Sequence, residues 1–423
     1  MKTQLEKARA GIITPEMEKA ALHEGMRARD LRDLLAAGLA VLPVNIRHGF
    51  HEVRAIGHGL KTKVNANLGT SGECSDLALE RRKLDKALQA GADSVMDLST
   101  GKDMDRTRSM FMEHSRVMVG AVPIYGLAAG MVDKGLPLSS MDGDALFRAI
   151  EEQCRQGVDY ITVHCGITRQ SVEKLDQFQR IMPCVSRGGS MLMNWIKTNN
   201  KENPLFEDFD VLLDIVRTYD VTLSLGDGFR PGCIADAMDP AQVEELMILA
   251  HLAARAFEKG VQVMIEGPGH VPLSQIAEQV RLQKRLCNNA PFYVLGPLPT
   301  DIAAGYDHIT AAIGGAVAGA AGADFLCYVT PAEHLCLPGE EDVYQGVMAS
   351  RVAAHIADLE KKVGGAWDMD LKISEFRQVL DWEGIISQCL DKDLVRKRLQ
   401  ITEDHKGCSM CGKLCAVSCQ DRM

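Results

Sequence analysis

Residues 63–68, Lys63-Val64-Asn65-Ala66-Asn67-Leu68, form the first of a series of short β-rich runs that alternate with helical stretches. The later runs are 94–98, 118–124, 160–165, 221–226, 261–266, 292–295 and 324–329. About eight strands separated by helices predict an α/β fold, a closed parallel (β/α)8 barrel of the TIM type. A doubly wound open sheet is the alternative that the same alternation allows.

Polar or glycine-rich signatures follow strand after strand in this pattern. A parallel barrel gathers the C-terminal ends of its strands at one face, where its active site lies. The sequence therefore predicts a ring of chemistry contributed by Asn65, Asn67 and Gly69; Met96 and Asp97; Pro123 and Tyr125; His164; Asp227, Gly228 and Arg230; Glu266 and His270; Tyr293; and Cys327 and His334.

Helical patterns flank the barrel on both sides. Residues 1–60 are predicted to be a helical segment, with one helix beginning at Pro15 after the N-cap Thr14 and another covering 28–37. The barrel is expected over 61–340, further helices over 341–400 and a cysteine-rich tail over 401–423. Within the barrel, 186–189 is expected to be an inserted loop, and the Ala/Gly-rich run 311–323 a tightly packed helix.

The composition limits the function classes. A net charge of −10 over 423 residues gives no basic balance to attract nucleic acid or an anionic membrane. The N-terminus lacks the apolar core of a signal peptide, and no run reaches the roughly 18 apolar residues of a membrane span. Thirteen cysteines without a secretion signal indicate a reducing cytoplasm, where clustered cysteines favour metal over disulfides.

The densest chemical signal is the C-terminal tail. Its cysteines, Cys408, Cys411, Cys415 and Cys419, have the spacing C-x2-C-x3-C-x3-C. Three closely spaced thiolates can hold an iron–sulfur cube and leave one iron open for S-adenosylmethionine. A structural zinc site made by all four cysteines is the alternative, although zinc sites usually combine two separated arms. A disulfide pair is the third interpretation.

Two histidines in rigid turns are candidate metal ligands. His270 lies in EGPGHVP and His334 in TPAEHLCLP, each just after a predicted strand. Imidazoles from neighbouring loops could share a divalent metal and leave positions open for water or substrate. A surface or hydrogen-bonding role is the simpler alternative for either residue.

Anion-binding and acid–base groups complete the set. Arg187 with the two glycines after it, and Arg230 after Asp227 and Gly228, are candidate phosphate ligands, because glycine amides and guanidinium both suit phosphate. Asp227 and Glu266 are candidate acid–base groups or helix caps. Cys327, at a strand end, is either a buried filler or a donor of a proton or hydrogen atom.

Ten ordered motifs together resemble the ThiC family of radical S-adenosylmethionine enzymes, from about residue 10 to the end of the chain. They are KVNANLGTS, VMDLSTG, VPIY, SRGG, GDGFRPG, EGPGHVP, NAPFYVLGP, GYDHIT, CYVTPAEHL and CSMCGKLC. The resemblance implies a homodimer in which a mobile tail carries a [4Fe-4S] cluster to the partner's active site. It also implies S-adenosylmethionine, the substrate 5-aminoimidazole ribotide and an electron donor such as flavodoxin or ferredoxin.

The family's functional residues can be placed on this sequence motif by motif. The implied substrate contacts are Asn67, Met96, Tyr125, His164, Ser186, Arg187, Gly188, Asp227, Gly228, Phe229, Arg230, Glu266 and Tyr293. A divalent metal, zinc or iron, is implied at His270 and His334. The cluster ligands are implied to be Cys408, Cys411 and Cys415, which leaves Cys419 outside the triad.

Three positions depart from the pyrimidine-forming members of the family. Gly126 replaces their usual Gln after VPIY, and Pro299 and Ala304 stand in PLPTDIAAGYD where they usually read PLVTDIAPGYD. These changes resemble the branch that converts the same ribotide to 5-hydroxybenzimidazole, with formate, for the lower ligand of cobalamin. We therefore expect that product, with the thiamine pyrimidine as the alternative and a non-catalytic zinc-binding barrel as the second alternative.

Overall fold

A closed ring of parallel strands forms the core of the chain. The computed structural model describes residues 2–400 and 407–417, so Cys419 lies outside the described residues. Two short antiparallel strands, β1 (Ala40–Val41) and β2 (Ile56–Gly57), precede the ring. The barrel strands are β3 (Lys63–Leu68), β4 (Ser94–Asp97), β5 (Met118–Ala121), β6 (Tyr160–Val163), β7 (Thr222–Leu225), β8 (Val263–Gly267), β9 (Phe292–Leu295) and β10 (Phe325–Cys327).

The last strand closes the ring onto the first. β10 pairs in parallel with both β9 and β3, and Cys327 lies opposite Asn65 in the register. All neighbouring strands pair in parallel, in the order β10-β3-β4-β5-β6-β7-β8-β9. The predicted (β/α)8 barrel is thus confirmed, and the open sheet is wrong.

Burial on both faces explains why these strands carry so few charges. Between the helices and the barrel interior, strands such as β5, β6 and β7 are buried at every position. Large rings fill part of the interior, where Tyr293 stacks on Phe325 with ring centroids 4.3 Å apart. The interior is a packed core below the mouth, as in other barrels of this class.

Helices precede, connect and follow the barrel strands along the chain. In chain order they are α1 (Gln4–Arg9), α2 (Pro15–Glu24), α3 (Ala28–Ala36), α4 (Leu77–Ala90), α5 (Met104–His114), α6 (Pro123–Asp133), α7 (Gly143–Gln156), α8 (Arg169–Gln177), α9 (Arg187–Asn199), α10 (Pro204–Glu207), α11 (Phe209–Tyr219), α12 (Pro240–Glu258), α13 (Leu273–Leu286), α14 (Asp307–Ala321), α15 (Glu340–Lys361), α16 (Ala366–Gln378), α17 (Trp382–Gln388) and α18 (Lys392–Arg398). Short 3-10 turns occur at Leu138–Ser140, Ile234–Asp236 and Gly412–Leu414.

The N-terminal segment attaches to the loops that lead into the barrel strands. Thr3 donates its hydroxyl to the Gly260 carbonyl at 2.7 Å, just before β8. The Gln4 amide donates to Asp220 at 2.7 Å, just before β7. The Asn45 side chain donates to the Val158 carbonyl at 2.9 Å, before β6. This segment therefore covers the N-terminal end of the barrel, opposite the end that carries the predicted chemistry.

Capping explains the helix starts that the sequence predicted. α2 begins at Pro15, and the Thr14 hydroxyl accepts from the Met17 amide at 3.2 Å. The sequence did not predict α1, whose start is fixed by a reciprocal capping box between Thr3 and Glu6.

Two local predictions were wrong, one about where a strand ends and one about the structure of residues 186–189. The run predicted as strand 118–124 ends at Ala121, because Pro123 occupies the first turn of α6 and places Tyr125 on that helix. The predicted inserted loop at 186–189 instead opens α9, where the Ser186 hydroxyl accepts from the Gly189 amide at 3.2 Å. The two glycines disfavour a helix at this point, and the hydrogen bond from the Gly189 amide to Ser186 stabilises the first turn of α9.

The chain divides into two compact units, Met1–Ala357 and Asp358–Met423. The first contains the N-terminal segment and the barrel, and the second contains α16 to α18 and the described part of the tail. The four-part division by function stays a prediction. Among the described residues, no helix is both long enough and apolar enough to cross a membrane.

Glycines let α14 lie directly on the barrel wall. A Cβ on Gly315 would lie 2.8 Å from the Gly296 carbonyl oxygen, and one on Gly314 would overlap the Pro297 carbonyl. Both obstacles are backbone atoms after β9, which cannot turn aside as a side chain can. The Ala/Gly-rich run is therefore a tightly packed helix, as predicted.

We expect Gly314→Ala to lower the free energy of unfolding by about 1–3 kcal/mol, because its methyl group overpacks against backbone. Gly130→Ala is the matched control, since Gly130 also lies inside a helix but has open space where its Cβ would be. The control should gain roughly 0.5–1 kcal/mol from helix propensity. Urea denaturation compares the two variants, and equal stability would contradict the close packing of α14.

Candidate active site

A pocket opens at the C-terminal ends of the barrel strands. Residues from around the ring converge there because parallel closure brings all the strand ends to one face. Its lining consists of Asn67, Met96, Leu98, Val122, Tyr125, Thr162, His164, Asp227, Arg230, Glu266, Gly267, Tyr293, Val294, Leu295 and Cys327.

Most of the residues proposed as substrate contacts or catalysts line this pocket. Ser186, Arg187, Gly188, Gly228 and Phe229 are the exceptions, because none of them is part of the lining. Phe229 is fully buried, and its backbone amide donates to Glu245, which is not part of the lining either. Arg187 reaches the rim, with its guanidinium 4.9 Å from the centroid of the Tyr125 ring. The loops at 186–188 and 228–229 thus lie next to the lining residues without lining the pocket themselves.

Glu266 is held in place by two hydroxyl groups that the sequence did not single out. Thr162 and Ser224 donate to the same oxygen, Oε1, at 2.6 and 2.7 Å. Burial raises the pKa of Glu266, and the two hydroxyl groups oppose that rise. The remaining oxygen, Oε2, is therefore the one available to a ligand.

Asp227 and Arg230 form a buried pair on the loop after β7. Their Oδ1 and Nη1 atoms lie 3.1 Å apart. Burial raises the pKa of Asp227 to about 7, the Arg230 charge opposes this, and the nearby Glu266 adds to it. The other oxygen, Oδ2, is buried without a hydrogen-bond partner among the described residues. Such a carboxyl group can hold or release a proton near neutral pH.

His164 is a neutral imidazole at the back of the pocket. Burial, followed by the Arg230 charge, lowers its pKa to about 3. Its Nε2 lies 3.0 Å from the Ser186 hydroxyl, whereas Nδ1 is buried and has no hydrogen-bond partner in the described part of the chain. Gly188 packs so closely on the ring that a Cβ there would collide with it. The second nitrogen is thus left for a bound molecule.

A hydrogen-bond chain beneath the pocket leads to Cys327. Asn65 accepts from the Tyr160 hydroxyl at 3.0 Å and donates to the Tyr293 hydroxyl at 2.7 Å. It also donates to Asn67 at 2.8 Å, and Asn67 donates to the Cys327 sulfur at 3.1 Å. Burial raises the pKa of Cys327 to about 12, so this group remains a thiol with its S–H bond intact.

His270 and His334 lie side by side on the same face of the barrel, with ring centroids 5.2 Å apart. The Nδ1 atom of His270 lies 2.8 Å from Asp301, and that of His334 lies 3.2 Å from Asp307. A carboxylate on Nδ1 orients the ring and leaves Nε2 free, which is the usual support of a metal-bound histidine. The sequence had not identified Asp301 or Asp307 as these partners.

The three cysteines of the predicted cluster lie on one short turn. The Gly412 amide donates to the Cys408 carbonyl at 3.2 Å, and the Leu414 amide to the Cys411 carbonyl at 3.0 Å. None of the three is in a disulfide bond, and Cys411 is exposed while the other two are half-buried. Across residues 2–400 and 407–417, no group of three or more His, Cys, Asp or Glu side chains is arranged as a metal site.

The Radical SAM ThiC family model matches residues 3–422. The chain belongs to this family. Relatives named phosphomethylpyrimidine synthase include those of Desulfitobacterium hafniense and Moorella thermoacetica, each 54% identical over 98% of this chain and 96% of the relative. One named phosphomethylpyrimidine synthase 2, from Syntrophotalea carbinolica, is 52% identical over 99% of this chain and 98% of its own length.

Membership in the ThiC family implies S-adenosylmethionine and an iron–sulfur cluster as cofactors. The donor set of the tail fits such a cluster, because its three cysteines are in no disulfide bond and share one turn. A [4Fe-4S] cube has four irons, so three thiolates leave one iron open for a further ligand.

The raised pKa of Asp227 predicts a pH-dependent effect on stability. The folded state binds this proton more tightly than the unfolded state, whose aspartates titrate near about 4. The contribution of Asp227 is therefore lost as the pH rises from about 4 through about 7. We expect Asp227→Asn to match the wild type in melting temperature near pH 4 and to become progressively more stable than it towards pH 8.

Asp236→Asn is the control for this measurement. Burial works against the ionised form of Asp236, but amide donation from Met182 and Ile181 lowers its pKa. Its stabilising contribution is therefore complete above about pH 4, and its melting-temperature difference should have no slope between pH 4 and 8. A flat difference for Asp227→Asn as well would show that its carboxyl group is ionised throughout.

Proposed function

We propose that the chain is a phosphomethylpyrimidine synthase. It would convert 5-aminoimidazole ribotide to 4-amino-5-hydroxymethyl-2-methylpyrimidine phosphate for thiamine synthesis. The observation that carries this proposal is the name borne by relatives that are 52–54% identical over at least 96% of their own length. That assignment replaces 5-hydroxybenzimidazole, which we expected from the sequence, as the leading product.

In this proposal the ribotide lies across the mouth of the barrel. Its phosphate would be bound by the guanidinium groups of Arg187 and Arg230. Glu266 would accept from hydroxyl or amino groups through Oε2, and Asp227 would exchange a proton through Oδ2. The neutral His164 would offer Nδ1 to the bound molecule. The polar lining thus orients the ribotide, while the apolar Met96 and Leu295 exclude water beside it.

When bound, the cluster and S-adenosylmethionine supply a 5'-deoxyadenosyl radical. Cys408, Cys411 and Cys415 would hold the cluster, and His270 and His334 a divalent metal near the methionine end of the cofactor. Support for the metal comes from the two carboxylates that orient the rings. The protonated Cys327, directed by Asn67, suits a hydrogen-atom donor because its S–H bond is retained in the pocket.

Metal analysis of anaerobically reconstituted protein tests both sets of ligands. We expect about four irons per chain and one further divalent ion in the wild type. His270→Ala combined with His334→Ala should lose that ion and keep the iron–sulfur absorption, whereas Cys411→Ala should lose the iron. Cys336→Ala, at an exposed cysteine outside the tail, should keep both metals. A colourless wild type with one zinc would instead favour the non-catalytic barrel.

Conversion of the same ribotide to 5-hydroxybenzimidazole and formate is the second candidate. Gly126, which directly follows the pocket residue Tyr125, favours it. A Cβ on Gly126 would have only one contact within 4 Å, the Gln153 amide nitrogen at 3.9 Å. A larger residue therefore fits there without strain, and the glycine would act on the radical rearrangement through its neighbour Tyr125, which lines the pocket.

Product identification separates the two candidates. The full-length enzyme would be turned over anaerobically with S-adenosylmethionine, a reductant and the ribotide, and the products analysed by mass spectrometry. We expect the phosphorylated pyrimidine from the wild type and also from Gly126→Gln. Fluorescent 5-hydroxybenzimidazole from the wild type would overturn the proposal, and a change to the pyrimidine in Gly126→Gln would assign the difference to this position.

The proposal extends to the assembly and surroundings of the enzyme. It includes a homodimer in which the tail serves the partner's pocket, and a flavodoxin or ferredoxin as electron donor. A cytoplasmic location suits the cysteines of the chain, since none of those described is in a disulfide bond.

A further inference from the structure

A buried glutamate on α12 binds the backbone of the loop that carries Arg230. The Glu245 side chain is only 1% exposed. Its Oε1 accepts from the Gly228 amide at 2.8 Å, and its Oε2 accepts from the Phe229 amide at 2.7 Å. Both carboxylate oxygens are thus used on two successive amides. Glu245 does not line the pocket at the barrel mouth.

The backbone that Glu245 holds is also the contact between the two candidate phosphate loops. A Cβ on Gly189 would lie 2.7 Å from the Gly228 Cα atom, so the two glycines meet backbone to backbone. The Cys184 thiol donates to the Gly228 carbonyl at 3.3 Å, which ties the same residue to the chain just before α9. A shift of Gly228 would therefore move both loops.

Packing alone does not explain a carboxyl group at this position. Removing such a group from water is costly unless hydrogen bonds compensate, and burial raises the pKa of Glu245 to about 8. The two amide bonds oppose that rise, and the nearby Asp227 charge adds to it. What the buried carboxyl group provides is a fixed position for the backbone of Gly228 and Phe229.

We propose that Glu245 is a positioning residue for the phosphate end of the substrate. By holding Gly228 and Phe229, it sets Arg230 and the first turn of α9 at the separation that one phosphate group can bridge. This inference rests on the proposed function, because it takes the ribotide as the ligand. It deepens that function by assigning phosphate recognition to a residue that does not touch the substrate.

Glu245→Gln tests the proposal with almost no change in shape. The amide group can accept only through its oxygen, so its nitrogen faces a backbone N–H and that loop residue must move. We expect the ribotide to bind roughly tenfold to hundredfold more weakly, the scale of one or two lost hydrogen bonds. Binding of the riboside, which lacks the phosphate, should be unchanged.

The measurement is calorimetric titration of the full-length reconstituted enzyme without reductant, with 5-aminoimidazole ribotide and its riboside as the two probes. Leu249→Ala is the packing control, because Leu249 is buried one turn further along α12. This control should lower the melting temperature but keep the ratio of the two affinities. Glu245→Asp, which keeps the carboxyl group but is one methylene shorter, should show an intermediate loss for the ribotide alone.

Each outcome is decisive. Wild-type affinity for the ribotide in both Glu245 variants would overturn the positioning role. An equal loss for ribotide and riboside would make Glu245 an element of general stability and would also overturn it. Failure of the wild-type enzyme to bind the ribotide would reject the proposed function itself, together with this inference.

Discussion

Parallel closure of the eight strands is the constraint on which the site depends. It buries both faces of each strand, and it also forces every strand to end at the same rim. Polar groups placed at those ends are close to one another and largely removed from water. The pKa shifts of Asp227, Glu266 and His164 follow from this single geometric fact, since burial is the first cause of each.

Desolvation lowers the pKa of the imidazole and raises the pKa of the two carboxyl groups, so these groups have different protonation behaviour. It keeps the imidazole of His164 neutral, and it moves the two acids towards their protonated forms. Hydroxyl and guanidinium partners then moderate each acid to a different extent. The result is a pocket in which burial works against the ionised form of both acids, which suits an anionic ligand such as the proposed ribotide.

Much of the fold could be predicted from the sequence, because strand positions depend on local apolar runs and local turn residues. The strand at 63–68 was predicted to the residue. The start of α9 could not be predicted, since glycines after Ser186 are typical of loops as well as of helix starts. The partners of the site residues were also beyond reach, because they are distant in sequence. Thr162 and Glu266, for example, are 104 positions apart, and they meet because β6 and β8 both pair with β7.

The bonds from Thr3, Gln4 and Asn45 to the loops before the strands have a consequence for a reaction that involves unpaired electrons. They hold the N-terminal segment over one end of the barrel, and the stacked rings of Tyr293 and Phe325 fill part of the interior between that end and the pocket. Small molecules are then expected to enter and leave the pocket at the C-terminal end of the barrel. A reactive intermediate is shielded from below by the fold itself, and the timing of its exposure to solvent is decided only at the mouth.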